Sequence, residues 1–252
     1  MALVLSNLTL GYDRHPAVHH LDLTIEDGAL VAIVGPNGAG KTTLLKGIAG
    51  LLKPMGGSLS VPQDQRIAYL SQRVELDTAF PITVEDFVSM GLWREIGPLG
   101  RIGRERWQRV REALSRLGID ALAKRSIGTL SGGELRRALF ARLALQDADI
   151  LLLDEPLTAV DAASEAVLLA TLHEWHGAGK TILTVLHDLP AVRKHFPLTA
   201  LFSRRLIAFG PTETVLSDDN LARARNAPIA FDDHAPVCDH DHHGSHHGQD
   251  AA

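Results

Sequence analysis

The sequence has a single cysteine, Cys238, in 252 residues, so no disulfide can form within it, and the chain fits a reducing compartment. No apolar run approaches the roughly 18 residues that a membrane-spanning helix needs. No basic stretch followed by an apolar one opens the sequence as a secretory leader would. The expectation is a chain that stays in the cytoplasm unless a membrane partner recruits it. There is no excess of positive charge either. The formal net charge is -5, and residues 232–252 hold five aspartates with no lysine or arginine, so the rest is formally neutral and offers no nucleic-acid surface. No long internal repeat is evident. With 45% hydrophobic residues, the chain can bury one substantial core, or a core and a smaller lobe.

Against these absences stands one dense motif, Gly35-Pro36-Asn37-Gly38-Ala39-Gly40-Lys41-Thr42-Thr43. It fits G-x-x-x-x-G-K-[ST], the phosphate-binding loop. Leu30–Val34 before it reads as a buried strand, and Thr42 to Leu52 after it, with Leu44, Leu45, Ile48 and Leu51 at helical spacing, reads as a helix. Glycines let the backbone curl so that successive N–H groups point at phosphate oxygens, and the helix adds the positive end of its dipole. In such a loop Lys41 reaches the β- and γ-phosphates and the Thr42 hydroxyl binds Mg²⁺.

Residues 3–10 and 21–25 alternate as an antiparallel pair of strands ahead of this loop, and 56–61 and 67–70 continue the strands, the latter ending at Ser71-Gln72. Tyr12 follows the first strand, either as a core aromatic or as a ring placed to stack on a nucleotide base. From Thr83 to Leu145 the period becomes helical. Val84, Phe87, Val88 and Gly91 form one face, and Trp107, Val110, Leu114 and Leu117 another. The arginines between them, from Arg104 to Arg116, form a solvated face or a docking face. Leu130-Ser131-Gly132-Gly133-Glu134 precedes a helix and is either a second anion site or only an N-cap. Ile150–Leu153 is a buried strand ending in Asp154-Glu155. Asp154 can hold Mg²⁺ and Glu155 can orient or deprotonate the water that attacks a γ-phosphate. Thr181–Leu186 is a further buried strand, ending in His187-Asp188, at the strand ends where parallel sheets bind ligands.

Taken together, the phosphate loop, Gln72, LSGGE, ILLLDE, Val160-Asp161 and His187 resemble, in order and spacing, an ATP-binding-cassette ATPase over about residues 3–215. The resemblance implies an α/β fold: a P-loop NTPase (RecA-like) mixed sheet core with an antiparallel β subdomain and a helical signature-motif subdomain. It places the ATPase domain at 1–230, with the helical part at about 83–145. It makes Tyr12 the ring that stacks on adenine and Gln72 the link between the Mg²⁺ site and the helical lobe. Ser131, Gly132 and Gly133 become the signature turn and Glu155 the catalytic carboxylate. Asp161 belongs to the loop crossing a dimer interface, and His187 contacts the γ-phosphate. The cofactors implied are ATP and Mg²⁺. Glu134 stands where many members have Gln, and Val160 where Leu is usual; neither carries chemistry. In this family two nucleotide domains pack head to tail, the signature turn of one closing on the nucleotide of the other, which implies a homodimer.

Phe80 to Gly91 with LSGGE resembles the ATPase subunits of zinc and manganese importers. That implies transmembrane permease subunits docked on the helical lobe, an extracytoplasmic metal-binding protein beyond them, and a place on the cytoplasmic face of the inner membrane, held peripherally through the permease. A tail at 231–252 carries His234, Cys238, His240, His242, His243, His246 and His247 among Asp, Gly and Ser. This composition cannot form a core but suits weak, multiple binding of Zn²⁺, which takes nitrogen and sulfur ligands where Mn²⁺ prefers oxygen. The tail either senses or buffers zinc or is a solubilising segment. Soluble non-transport relatives carry a long coiled coil or two cassettes, and neither pattern is present. An exporter, another cargo, or a metal sensor with a secondary ATPase would carry the same motifs.

Overall fold

The structure, a computed structural model, describes residues 2–13, 15–72, 81–97 and 100–227; the tail with its histidines and Cys238 lies outside the described residues. In chain order the strands are β1 (Ala2–Tyr12), β2 (His15–Glu26) and β3 (Leu30–Val34), followed by helix α1 (Lys41–Ile48) and strands β4 (Gly56–Ser60) and β5 (Ile67–Leu70). Helices α2 (Val84–Ser89), α3 (Trp93–Ile96), α4 (Arg104–Arg116) and α5 (Gly132–Ala144) then separate β5 from β6 (Ile150–Asp154). The remainder is α6 (Ala162–Gly177), β7 (Thr181–Val185), α7 (Leu189–His195), β8 (Leu198–Ser203), β9 (Arg205–Pro211), α8 (Thr212–Val215) and α9 (Asp218–Asn226).

The strands form two sheets, one ordered β2-β1-β4 and antiparallel, the other ordered β5-β6-β7-β3-β8-β9. Within the second, β5, β6, β7, β3 and β8 run parallel, and β9 closes the edge antiparallel to β8. All five residues of β3, β6 and β7 are buried. Continuous apolar runs are what a parallel strand covered on both faces requires. Alternate residues still go to opposite faces. Leu30, Ala32 and Val34 of β3, with Leu151 and Leu153 of β6, pack with Phe87, Val110, Phe140 and Leu168 of the helical layer. Val31 and Ile33, with Ile150 and Leu152, pack on Leu5, Leu8 and Leu21 of the antiparallel sheet and on Leu44, Leu45 and Ile48 of α1. Each such side chain contributes about 1.5–3 kcal/mol of burial.

Two expectations change in detail. The helix after the phosphate loop stops at Ile48 rather than Leu52. Gly50 turns left-handed at φ +73°, its N–H donates to the Gly47 carbonyl and that of Leu51 to the Lys46 carbonyl. This paired termination ends the helix and leaves Leu51 66% exposed instead of on a buried face. The strand expected at 56–61 ends at Ser60, and the two strands join different sheets: β4 adds to β1, whereas β5 crosses to pair with β6. No helix among the described residues is long and apolar enough to cross a membrane.

On α4 three of the arginines are engaged in ion pairs at the surface. Arg106 and Arg109 pair with Glu95 at 2.8 and 2.6 Å, and Arg116 with Glu174 at 3.1 Å. Exposed pairs of this kind add about 0–1 kcal/mol each.

Candidate nucleotide site

The parallel order β5-β6-β7-β3 brings four chain segments to one edge of the sheet. The register pairs Leu70 with Leu153, Asp154 with Val185 and Val185 with Ile33. Gln72, Asp154-Glu155, His187 and Gly35 therefore all emerge within a residue or two of one line, at the carboxyl ends of neighbouring strands.

The loop after β3 runs into α1 through Gly40 at φ +93°, where a Cβ would stand 2.5 Å from the Ala17 carbonyl oxygen. Helix α1 begins with no side-chain cap and no acidic residue in its first turn, which leaves its N–H groups and dipole for an anion. Lys41 is buried, and its Nζ donates to the carbonyls of Gly35 and Pro36, both at 2.8 Å. Burial pulls the ammonium pKa down while Glu155 and Asp154 pull it up. A cleft of about 240 Å³ opens beside Gly35, Pro36 and His187.

Asp154 is fully buried at the end of β6. Burial raises its pKa, and the neighbouring Glu155 charge adds to this, while the Thr42 hydrogen bond, the Lys41 charge and the Tyr69 hydroxyl oppose it. Tyr69 reaches Oδ2 at 3.5 Å, and Oδ1 has no hydrogen-bond partner. A buried carboxylate oxygen without a partner, beside a threonine hydroxyl, is a donor set suited to Mg²⁺, a hard cation that takes oxygen ligands.

Glu155 is held from three sides. His187 Nε2 lies 2.5 Å from Oε1, and Oε2 accepts from Gln72 Nε2 at 2.8 Å and from the Thr158 hydroxyl at 3.2 Å. Burial alone would raise its pKa, but these bonds outweigh it and hold the carboxyl below its ordinary value. The residue adopts φ +50°, a left-handed conformation that costs about 1–3 kcal/mol in a non-glycine residue. Such a carboxylate, ionised and fixed in direction, can accept a proton from water. Tyr12 is 46% exposed, which excludes the core reading, and Lys46 Nζ lies 5.8 Å from its ring centroid.

Ser131–Gly133 forms a capped turn at the start of α5. Ser131 Oγ accepts from the Glu134 N–H at 3.3 Å, and the Ser131 N–H donates to Glu134 Oε2 at 2.7 Å, a reciprocal cap. Glu134 is thus fitted to the turn. Asp161 caps α6 in turn, accepting from the Ser164 N–H at 2.9 Å and the Ser164 hydroxyl at 2.8 Å. The turn sits against the loop that carries Asp161, with Gly132 facing the Ala159 carbonyl and Gly133 facing Asp161 and Ser164.

Three contributors were not singled out from the sequence. Thr158 lies three residues beyond Glu155, a spacing that could have flagged it. Tyr69 and Arg136 act through tertiary contact. Burial lowers the Arg136 pKa against the pull of the Glu155 charge, so the signature helix α5 is electrostatically tied to Glu155.

Known proteins agree with this geometry. Residues 18–158 match the ABC transporter family. The manganese transport system ATP-binding protein MntB of Listeria innocua serovar 6a is 39% identical over 234 residues, covering 90% of this chain and 98% of that protein. The zinc transport system ATP-binding protein TroB of Treponema pallidum is 39% identical over 235 residues, covering 91% of this chain and 88% of that protein. Among solved structures, one described as an inward-facing ABC transporter of metal-chelate type has a TM-score of 0.80 at 28% identity, with 90% of each chain covered. The chain belongs to the ABC transporter family as an ATP-binding, ATP-hydrolysing subunit with the P-loop NTPase fold.

Proposed function

We propose that this protein hydrolyses ATP to drive import of a divalent transition-metal ion through separate transmembrane permease subunits, and that it works as a head-to-tail homodimer on the cytoplasmic face of the membrane. The observation that carries the metal assignment is 39% identity over nine-tenths of the chain to subunits named for manganese and for zinc transport.

In this reading Lys41 and the N–H groups of Gly38–Thr43 hold the β- and γ-phosphates, and Tyr12 stacks on the adenine. Thr42, Asp154 and Gln72 would hold Mg²⁺, which supplies positive charge to the phosphate oxygens. Glu155 takes the proton from the attacking water. His187, 2.5 Å from Glu155, fixes the carboxylate and reaches the γ-phosphate. Ser131–Gly133 and Asp161 complete the pocket of the second copy. Their mutual packing, Gly133 against Asp161 and Ser164, supports their acting together as one unit.

A groove of about 270 Å³ lined by Ile67, Met90, Trp93, Arg94, Arg142 and Gln146 lies between the helical lobe and the β5 edge of the sheet. Met90 and Trp93 are 44% and 60% exposed, which supports this face as the seat of a permease segment.

Zinc is the favoured cargo because the tail at 231–252 offers nitrogen and sulfur ligands. The second reading, manganese, is favoured by the name of the Listeria relative. Cells lacking this gene should accumulate less zinc from a depleted medium, and the wild-type gene but not Glu155→Gln should restore it. Unchanged zinc with lowered manganese would select the second reading. If neither metal changed, the metal assignment would be wrong.

A further inference from the structure

Away from the nucleotide site, α6 and α7 meet through two histidines. His173 Nε2 lies 3.3 Å from His195 Nδ1, with ring centroids 5.5 Å apart and planes tilted by 43°. His173 is exposed near the end of α6, and His195, the last residue of α7, is partly exposed. Each ring is carried on a packed element: Leu172 and Trp175 are buried beside His173, and Val192 and Phe196 beside His195.

Two imidazoles facing nitrogen to nitrogen can share a proton, or both can turn lone pairs towards one cation. The second arrangement has a defined spacing. Two nitrogens at a Zn–N length of about 2.0–2.1 Å and a tetrahedral angle stand about 3.3–3.4 Å apart. The observed separation has that value without any movement of the helices. The surrounding charges permit a cation. Glu165, on α6, attracts positive charge at His195, and Lys194 opposes it. Burial first, then Lys194 and His173, hold the His195 pKa below its ordinary value, which keeps the ring in the neutral form that ligates.

We propose that His173 and His195 form a two-histidine site for a divalent ion of the zinc class, bridging α6 and α7. Among the described residues no group of three metal-ligating side chains occurs. With water in the remaining positions, such a site is weak and exchangeable rather than structural. Zn²⁺ suits imidazole nitrogen, and Mn²⁺, which prefers oxygen, does not. The bridge ties together two helices whose N-caps are Asp161 and Asp188, the latter adjacent to His187. The site does not depend on which ion the protein helps to move.

The test is residue-resolved histidine footprinting of the full chain with diethylpyrocarbonate and mass spectrometry. Residue resolution separates this pair from the histidines of the tail, with zinc sulfate titrated in excess over them. At a free zinc concentration about four times the dissociation constant, modification of His173 and His195 should slow together by about fivefold, following 1 + [L]/Kd. Manganese chloride should leave both rates unchanged. In His173→Gln, zinc should no longer protect His195, and in His195→Gln it should no longer protect His173. His19, part-buried on β2 with Nε2 3.1 Å from the Pro16 carbonyl oxygen and 3.0 Å from Arg204 Nη2, serves as the internal reference for an intact fold. The proposal is overturned if zinc leaves both rates unchanged, if protection of one ring survives loss of the other, or if manganese protects equally.

Discussion

Gly133 faces Asp161 so closely that a Cβ on the glycine would stand 2.5 Å from Asp161 Oδ2 and 2.6 Å from the Ser164 hydroxyl. The start of α5 and the start of α6 are thereby locked together, each capped by its own residue. The absent side chain of Gly133 is what lets the Asp161–Ser164 cap lie against the start of α5.

Gly133→Ala should therefore force Asp161 or Ser164 to move. Overpacking of this kind costs about 1–3 kcal/mol. The expected outcome is a lowered melting temperature together with a fall in ATPase rate, measured by calorimetry and phosphate release. An alanine variant with unchanged stability and rate would show that the two caps are not coupled.

Glu155→Gln keeps the shape of the side chain and removes the proton acceptor. Phosphate release should fall by about 10²–10⁴-fold, the range of general-base contributions. ATP should still bind, and Mg·ATP should shift the protein to a dimer on size exclusion. Hydrolysis at the normal rate would remove Glu155 from the mechanism.

Asp154 and Glu155 should affect stability with opposite signs. The folded-state pKa of Asp154 is raised, chiefly by burial, so folding carries a penalty that is full above that value, shrinks as pH falls below it and is gone only below the unfolded value. Without nucleotide, Asp154→Asn should melt higher than wild type at neutral pH, while losing Mg-dependent hydrolysis, and its advantage should shrink on acidification. The folded-state pKa of Glu155 lies below its ordinary 4.5, because the bonds from His187, Thr158 and Gln72 outweigh burial. Its contribution is present above the unfolded value and is lost as pH falls through the folded one. Glu155→Gln should melt lower than wild type at neutral pH, and that deficit should shrink on acidification. Melting curves from about pH 7 down to about pH 3, which cross the unfolded values of both carboxyls, check both signs.

Leu152 is wholly buried in the second-from-edge strand of the six-stranded sheet. Leu152→Ala should cost about 2–5 kcal/mol. Urea unfolding should show a lower midpoint with an unchanged slope.

Much of this protein is written locally. A phosphate loop is a run of consecutive residues whose backbone must curl, and the apolar strands before Lys41, Asp154 and His187 are visible as runs because strands covered on both faces leave no room for polar alternation. The capping box at Ser131 and Glu134 is likewise a spacing within one turn. Other features depend on parts far apart in sequence. That β5 leaves the antiparallel group to pair with β6 is a long-range choice, because β4 and β5 look alike as short strands. The grip on Glu155 by Gln72 and His187 exists only because β5, β6 and β7 lie side by side. The unpartnered oxygen of Asp154, the exposure of Tyr12, and the meeting of His173 with His195 arise from packing between elements, where burial and distance, rather than residue type, set the chemistry.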